Sequence, residues 1–251
     1  RLTEIVLGVF IVSIGNVILP SMSKLSASND LEKLNTMYAT SLRASLFLAL
    51  PSAAALMAIG YPIVSLLFMR QRFTHFDALM TEKALFFASM GLASIAVLRT
   101  TSPVFYALKD TKTPVMTSFL SFIINIAMGY ILMRTPLKHA GLSLANSISV
   151  SVQIGILLII LSRKIGKIQI NHFFSTIIRI AISSLVMGVS LYAAASFVDW
   201  QHQSFIIRLT ALTGIILTGG LCYGICTYVL GVPETLYFLK KLRGFFLRSN
   251  A

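Results

Sequence analysis

Seven long apolar stretches constrain this chain more than any other feature; they run at about 2–22, 44–68, 84–108, 115–133, 140–162, 173–198 and 205–230. At ~1.5 Å of rise per residue, each is long enough as a helix to cross a hydrocarbon core roughly 30 Å thick. Backbone groups find no water at that depth, so only helices and closed barrels span it. Barrel strands are about ten residues long and alternate in and out, which these runs do not. Composition agrees: 56% of the 251 residues are hydrophobic and 12% charged, against about 25% charged in an ordinary soluble domain. The sequence predicts an all-α polytopic membrane protein with seven transmembrane helices and excludes a soluble enzyme.

The 21 Lys and Arg against 8 Asp and Glu give a net charge of +13, which in a soluble chain would point to nucleic acid. Here most basic residues lie in connections between spans. One side holds Lys24, Lys33, Arg43, Lys109, Lys112, Arg163, Lys164, Lys167, Lys240, Lys241, Arg243 and Arg248; the other holds half as many, namely Arg1, Arg70, Arg72, Lys83, Arg134 and Lys138. The richer side is expected to be cytoplasmic, which places the C-terminus inside and Arg1 near the opposite face. No nucleic-acid partner is called for. Short connections at 109–114, 134–139 and 199–204 predict that consecutive helices pack as antiparallel neighbours. The connections flanking the second span are longer. Ser28 and Thr74 are read as N-caps of two short interfacial helices. The tail ETLYFLKKLRGFFLR reads as a basic amphipathic segment on an anionic leaflet. Arg1 is followed at once by an apolar span with no cleavable signal, so the chain is expected to begin inside a larger protein.

Ionisable side chains within spans are costly and need an explanation. Arg179 and Arg208 lie near the starts of their spans and can snorkel to the interface. Arg99 is deeper and is followed by Thr100, Thr101, Ser102 and Pro103, a poor surface to offer lipid. It reads as facing a water-filled cavity, the alternative being a helix that ends near Leu98 and leaves Arg99 among headgroups. Arg1 and Glu4 stand one helical turn apart and can pair; spacing leaves open whether Arg1 is an anchor or an anion ligand. Asn125, in mid-span, can hydrogen-bond a neighbouring helix or coordinate a cation. Cys222 and Cys226 read as small buried apolar residues on one helix face. The four histidines have no metal-ligand spacing, and no metalloprotease, phosphate-loop or nucleophile-elbow motif occurs. Spans interrupted by Pro51, Pro62 and Pro103 without an enzyme motif read first as a transporter or flippase.

The strings RLTEIVLGVF, GNVILPSMSKLSA, FTHFDALMTEKAL, SPVFYALKDTKTPV and PLKHAGLSLANSIS, in that order, resemble the C-terminal half of the MurJ/MviN family. These are the bacterial lipid II flippases of the MOP exporter superfamily. FYALKDTKTP is the most specific element and PLKHAGLSL nearly as telling. The resemblance implies a fourteen-helix, two-bundle transporter of which this chain supplies the last seven helices. Residues 1–162 would form part of the second six-helix bundle, 163–230 two further transmembrane helices, and 231–251 the cytoplasmic tail. It implies a multi-pass protein of the bacterial inner membrane, with lipid II as substrate and the missing N-terminal half and membrane lipids as partners. Arg1 matches an arginine of the family's substrate cavity at the start of the eighth helix, and Glu4 also matches; Val6 stands where a proline often follows. Arg99 falls where the family tolerates a basic residue. The substrate-binding residues are therefore expected to be Arg1, Glu4 and Arg99, with no cofactor or metal and with a cation or the membrane potential as the energy source. The rival readings are another MOP-type transporter, such as a cation-coupled drug exporter or a polyprenyl-linked oligosaccharide flippase, and a seven-helix receptor or scaffold.

Overall fold

The computed structural model describes residues 12–69, 74–166, 170–201 and 203–236. They form α1 (Val12–Ala27), α2 (Leu31–Ala58), α3 (Gly60–Phe68), α4 (His75–Met90), α5 (Leu92–Ala107), α6 (Lys112–Met133), α7 (His139–Ile165), α8 (Ile170–Ser196) and α9 (Phe205–Val229), with no strand among the described residues. Five of these, α2, α6, α7, α8 and α9, are long and apolar enough to cross a membrane; α4 and α5, bent by 41° at their junction, are together long and apolar enough for a sixth. The first expected span falls on α1 and on residues outside the described ones.

Two expectations are corrected. The segment after Ser28 is not a separate interfacial helix. Asp30, rather than Ser28, caps α2 by accepting from the Lys33 amide at 3.1 Å, and the helix then runs unbroken through Arg43 into the apolar stretch and on to Ala58. Nothing in Leu31–Arg43 breaks a helix, and Leu34, Tyr38 and Leu42 recur at four-residue spacing on a buried face. Thr74 does cap its helix, in a reciprocal box with Asp77, but α4 is likewise no separate short helix: it runs on to Met90, past the start of the expected third span. The second span, read as interrupted by Pro51 and Pro62, runs on through Pro51 inside α2 and breaks at Ile59 (φ −118°, ψ 25°). Pro62 explains the break: it has no amide proton, and its ring would collide with the carbonyl of Ala58.

Three turns on the basic side share one construction. α1, α5 and α9 each end with a residue at positive φ, Asn29 (57°), Lys109 (59°) and Gly231 (65°). In each, the next amide reaches back five residues: Asp30 to Leu25 O, Asp110 to Phe105 O and Val232 to Thr227 O. These are Schellman stops. After the first two, an aspartate caps the following helix. The chain reverses tightly there because one residue closes the old helix and the next opens the new one.

Packing departs from simple neighbour order. α6 lies against α7, and α9 against α8, as short loops predict, but α5 and α6 barely touch because α7 inserts between them. Glycines permit that insertion. A Cβ on Gly141 of α7 would stand 2.9 Å from the Leu132 backbone, and one on Gly91 would stand 2.9 Å from the Ser147 Cα. One core cluster joins α1, α2, α5 and α7 around Tyr38, Phe105 and Leu157. A second lies between the far half of α2, α3, α4 and the start of α5. A third seats α8 and α9 against the α2–α3 corner through Ile59, Leu191 and Trp200.

Candidate functional site

Hydroxyl and amide side chains line the seams around α5 and α7. In α5, Thr100, Thr101 and Ser102 each donate to the carbonyl four residues back, so this polar run folds as helix and does not unravel. α5 continues through Pro103 to Ala107, which removes the reading in which the helix stops near Leu98. Because Thr100 and Thr101 spend their protons within the helix, their oxygens accept across the seam. Ser45 donates to Thr100 at 2.7 Å and Tyr38 to Thr101 at 2.8 Å, both buried. Such bonds between helices hold a bundle where lipid offers no hydrophobic driving force.

On the opposite face of α5, Ile95, Arg99, Ser102 and Tyr106 form a stripe that is half-buried or exposed. Arg99 stands about 12 Å along the axis from the end of α5 and makes no hydrogen bond or ion pair with any described residue. A guanidinium at that depth needs water, another protein segment or an anion beside it. Arg1 and Glu4 lie outside the described residues. Asn125 donates to Asn146 Oδ1 at 3.4 Å and Ser149 Oγ at 3.3 Å on α7, and Gln153 donates to Ser118 at 2.9 Å along the same seam. Among the described residues no cluster of three or more His, Cys, Asp or Glu side chains could hold a metal ion. Cys222 and Cys226 are half-buried free thiols on α9.

The remaining span arginines close helix ends instead of snorkelling freely. Arg179 donates to Leu230 O at 3.0 Å and Arg208 to Trp200 O at 3.3 Å. Arg43, expected in a loop, lies inside α2 and pairs with Glu234 at 3.3 Å. The sequence reading also missed the role of Asp110. Its carboxylate accepts from the Thr113 amide at 3.0 Å, the Thr113 hydroxyl at 2.6 Å and Lys164 Nζ at 2.5 Å. It thereby caps α6 and ties the α5–α6 turn to the end of α7. The Lys164 bond first, and the Thr113 bonds after it, hold this carboxyl well below the usual carboxylate range. This is the physical content of the string ALKDTKTP: a left-handed Lys109, a capping Asp110 and the threonine it caps.

Broken helices long and apolar enough to cross a membrane, hydroxyl-lined seams and a guanidinium that meets no partner among the described residues define the class as a helical, multi-pass membrane bundle. The family model described as "Lipid II flippase MurJ" matches residues 1–211, and the chain belongs to that family. A "Probable lipid II flippase MurJ" of Buchnera aphidicola subsp. Acyrthosiphon pisum is 30% identical over 96% of this chain and 47% of its own length. That of Haemophilus influenzae is 27% identical over 93% of this chain and 47% of its own. A solved structure titled "Lipid II flippase MurJ, inward closed conformation" superposes with a TM-score of 0.71 at 28% identity, over 91% of this chain and 45% of that one. The chain thus spans about half the length of the curated relatives it matches.

Proposed function

We propose that this chain forms the C-terminal half of a lipid II flippase of the bacterial inner membrane, which carries the headgroup from the cytoplasmic to the periplasmic leaflet. The observation that carries the reading is the superposition of 91% of the chain on a solved lipid II flippase. Residues 1–162 belong to the second bundle and 163–230 to two added helices. The tail at 231–251 lies on the cytoplasmic leaflet, the side to which the basic loops assign the C-terminus.

The physical task is to move a diphosphate through hydrocarbon, where an unpaired ion costs on the order of tens of kcal/mol. A hydrated cavity lined by arginines avoids that cost. Guanidinium stays protonated at every physiological pH and grips phosphate oxygens through paired bonds. In this reading Arg1, with Glu4 orienting it, is a direct ligand of the pyrophosphate and Arg99 a second attractor. The two bundles rock about the headgroup while the polyprenyl tail stays in lipid. A cation gradient or the membrane potential drives the cycle, and Asn125 belongs to the packing of α6 on α7. The test is Arg1→Ala in the full-length protein, with lipid II translocation read in proteoliposomes and folding by gel filtration. Translocation is expected to fall to background with folded yield retained, and Arg99→Ala to slow it by a smaller factor. Normal flipping by Arg1→Ala would remove Arg1 from the site.

A further inference from the structure

We infer that the α4–α5 junction is a hinge latched by Ser147 of α7, so that the outer half of this broken span swings during transport. The inference rests on the transporter reading for its purpose, but its geometry stands alone. In a continuous helix the Gly91 amide would donate to the Phe87 carbonyl; here it turns to Ala88 O at 3.2 Å, and the axes diverge by 41°. The Phe87 carbonyl so released is not left bare, because the Ser147 hydroxyl donates to it at 2.7 Å. Ser147 is itself buried, and Gly91 leaves it room. A Cβ on Gly91 would lie 2.6 Å from Ser147 Oγ and 2.9 Å from its Cα, so the missing side chain is what lets α7 reach the break.

One turn further along, Ser151 donates to Ser147 O at 2.7 Å and accepts from Ser94 of α5 at 2.8 Å. The latch is therefore a short ladder of hydroxyls in one seam. Each rung is a neutral bond of modest net strength, and a released carbonyl can instead be met by a rebuilt helical turn with the Gly91 amide. The seam therefore has two ways to satisfy the same carbonyl, one bent and one straight, which is what a two-state element requires. The cores on either side differ. From Val104 onward α5 packs in the cluster built on α1, α2 and α7, whereas α4 packs with α3 and the far half of α2 in a cluster that reaches only the start of α5, at Leu92 and Ala96.

α4 has 16 residues, a length of about 24 Å, so a 20° change at Gly91 moves its first turn by roughly 8 Å. The test places spin labels at Phe76 and Met133, both exposed near the same face, in full-length protein in nanodiscs with Cys222 and Cys226 replaced by alanine. Distances are read by pulsed electron resonance with no lipid II present. Ser147→Ala is expected to add a second population displaced by several ångströms, and Gly91→Ala to shift the main one. Ser118→Ala, which cuts the α6–α7 seam away from the hinge, is expected to change neither. An unaltered distribution in Ser147→Ala, or equal broadening by Ser118→Ala, overturns the hinge. Lipid II translocation, measured separately in the unsubstituted protein, tests the flippase reading, so the two can fail independently.

Discussion

Asp110→Asn isolates the charge in the α5–α6 turn from its capping role. Asparagine keeps an oxygen for the Thr113 amide and is itself a good cap, so the substitution mainly removes the charged half of the contact with Lys164. A hydrogen bond to a charged group contributes about 1.5–3 kcal/mol when shielded. The Asp110 side chain is 15% exposed but that of Lys164 is 40% exposed, so screening reduces the expected loss to about 0.5–1.5 kcal/mol. Asp110→Ala also removes the cap and should cost about 1 kcal/mol more. Thermal unfolding of the full-length protein in detergent reads both, and Lys164→Gln closes a double-mutant cycle in which Asp110→Asn and Lys164→Gln together cost no more than either alone. The pH dependence has a fixed sign. The folded carboxyl titrates lower than the unfolded one, so its stabilisation is complete above about pH 4, the unfolded value, and is lost as pH falls through the folded value. The deficit of Asp110→Asn should therefore be constant from pH 8 to pH 5 and shrink only in stronger acid. Additive costs in the cycle, or a deficit that already shrinks between pH 8 and pH 6, would refute the ion pair as the cause.

Two further substitutions probe the seams. Gly141→Ala places a methyl 2.9 Å from the Leu132 backbone, which cannot step aside as a side chain could; a loss of about 1–3 kcal/mol is expected, seen as a lower melting temperature, whereas Gly155→Ala, with open space around it, should be neutral. Thr100→Val strands the buried Ser45 hydroxyl and should cost about 1–2 kcal/mol, while adding Ser45→Ala should recover part of that loss, measured by the same melts.

Hydropathy alone made the spans legible, because lipid leaves the backbone few options. Their ends were less so. α2 begins thirteen residues before its apolar stretch, since Leu34, Tyr38 and Leu42 bury one face of a helix whose other face is polar; a window that averages both faces sees a loop. The break at Gly91 was invisible for a different reason. No proline marks it, and its cause lies in Ser147, 56 positions away, a residue type common on any helix. Arg99 could be singled out from sequence because charge at membrane depth is rare. Asp110 could not, because an aspartate in a polar turn is ordinary until Lys164 is known to reach it. FYALKDTKTP stood out as a string, and only the geometry of the turn says why its aspartate and threonine are three apart.

The added pair α8–α9 is fastened to the bundle at both membrane faces, and the kinds of fastening differ. On the basic side Arg43 meets Glu234, Arg179 closes the end of α9 at Leu230, and the Tyr223 hydroxyl donates to the Phe47 carbonyl at 2.7 Å. On the other side Gln201, in the α8–α9 connection, approaches the His75 ring at 3.3 Å, a ring that the Tyr61 hydroxyl of α3 also meets at 2.9 Å, and Trp200 is buried in the cluster that contains Ile59. Apart from the Arg179 bond, which lies within the pair, these contacts on the bundle side come from α2, Ile59, α3 or the first residue of α4. The pair is thus tied to the α2–α3 side of the molecule, and to α4 only at its outermost turn. If α4 swings at Gly91, its packing on α2, α3 and α7 must shift, and of the pair's own fastenings only the Gln201 contact with His75 must give, while the charged fastening at the basic face can stay closed. In the flippase proposed above, such an arrangement would let one end open without loosening the other, which is the condition alternating access imposes.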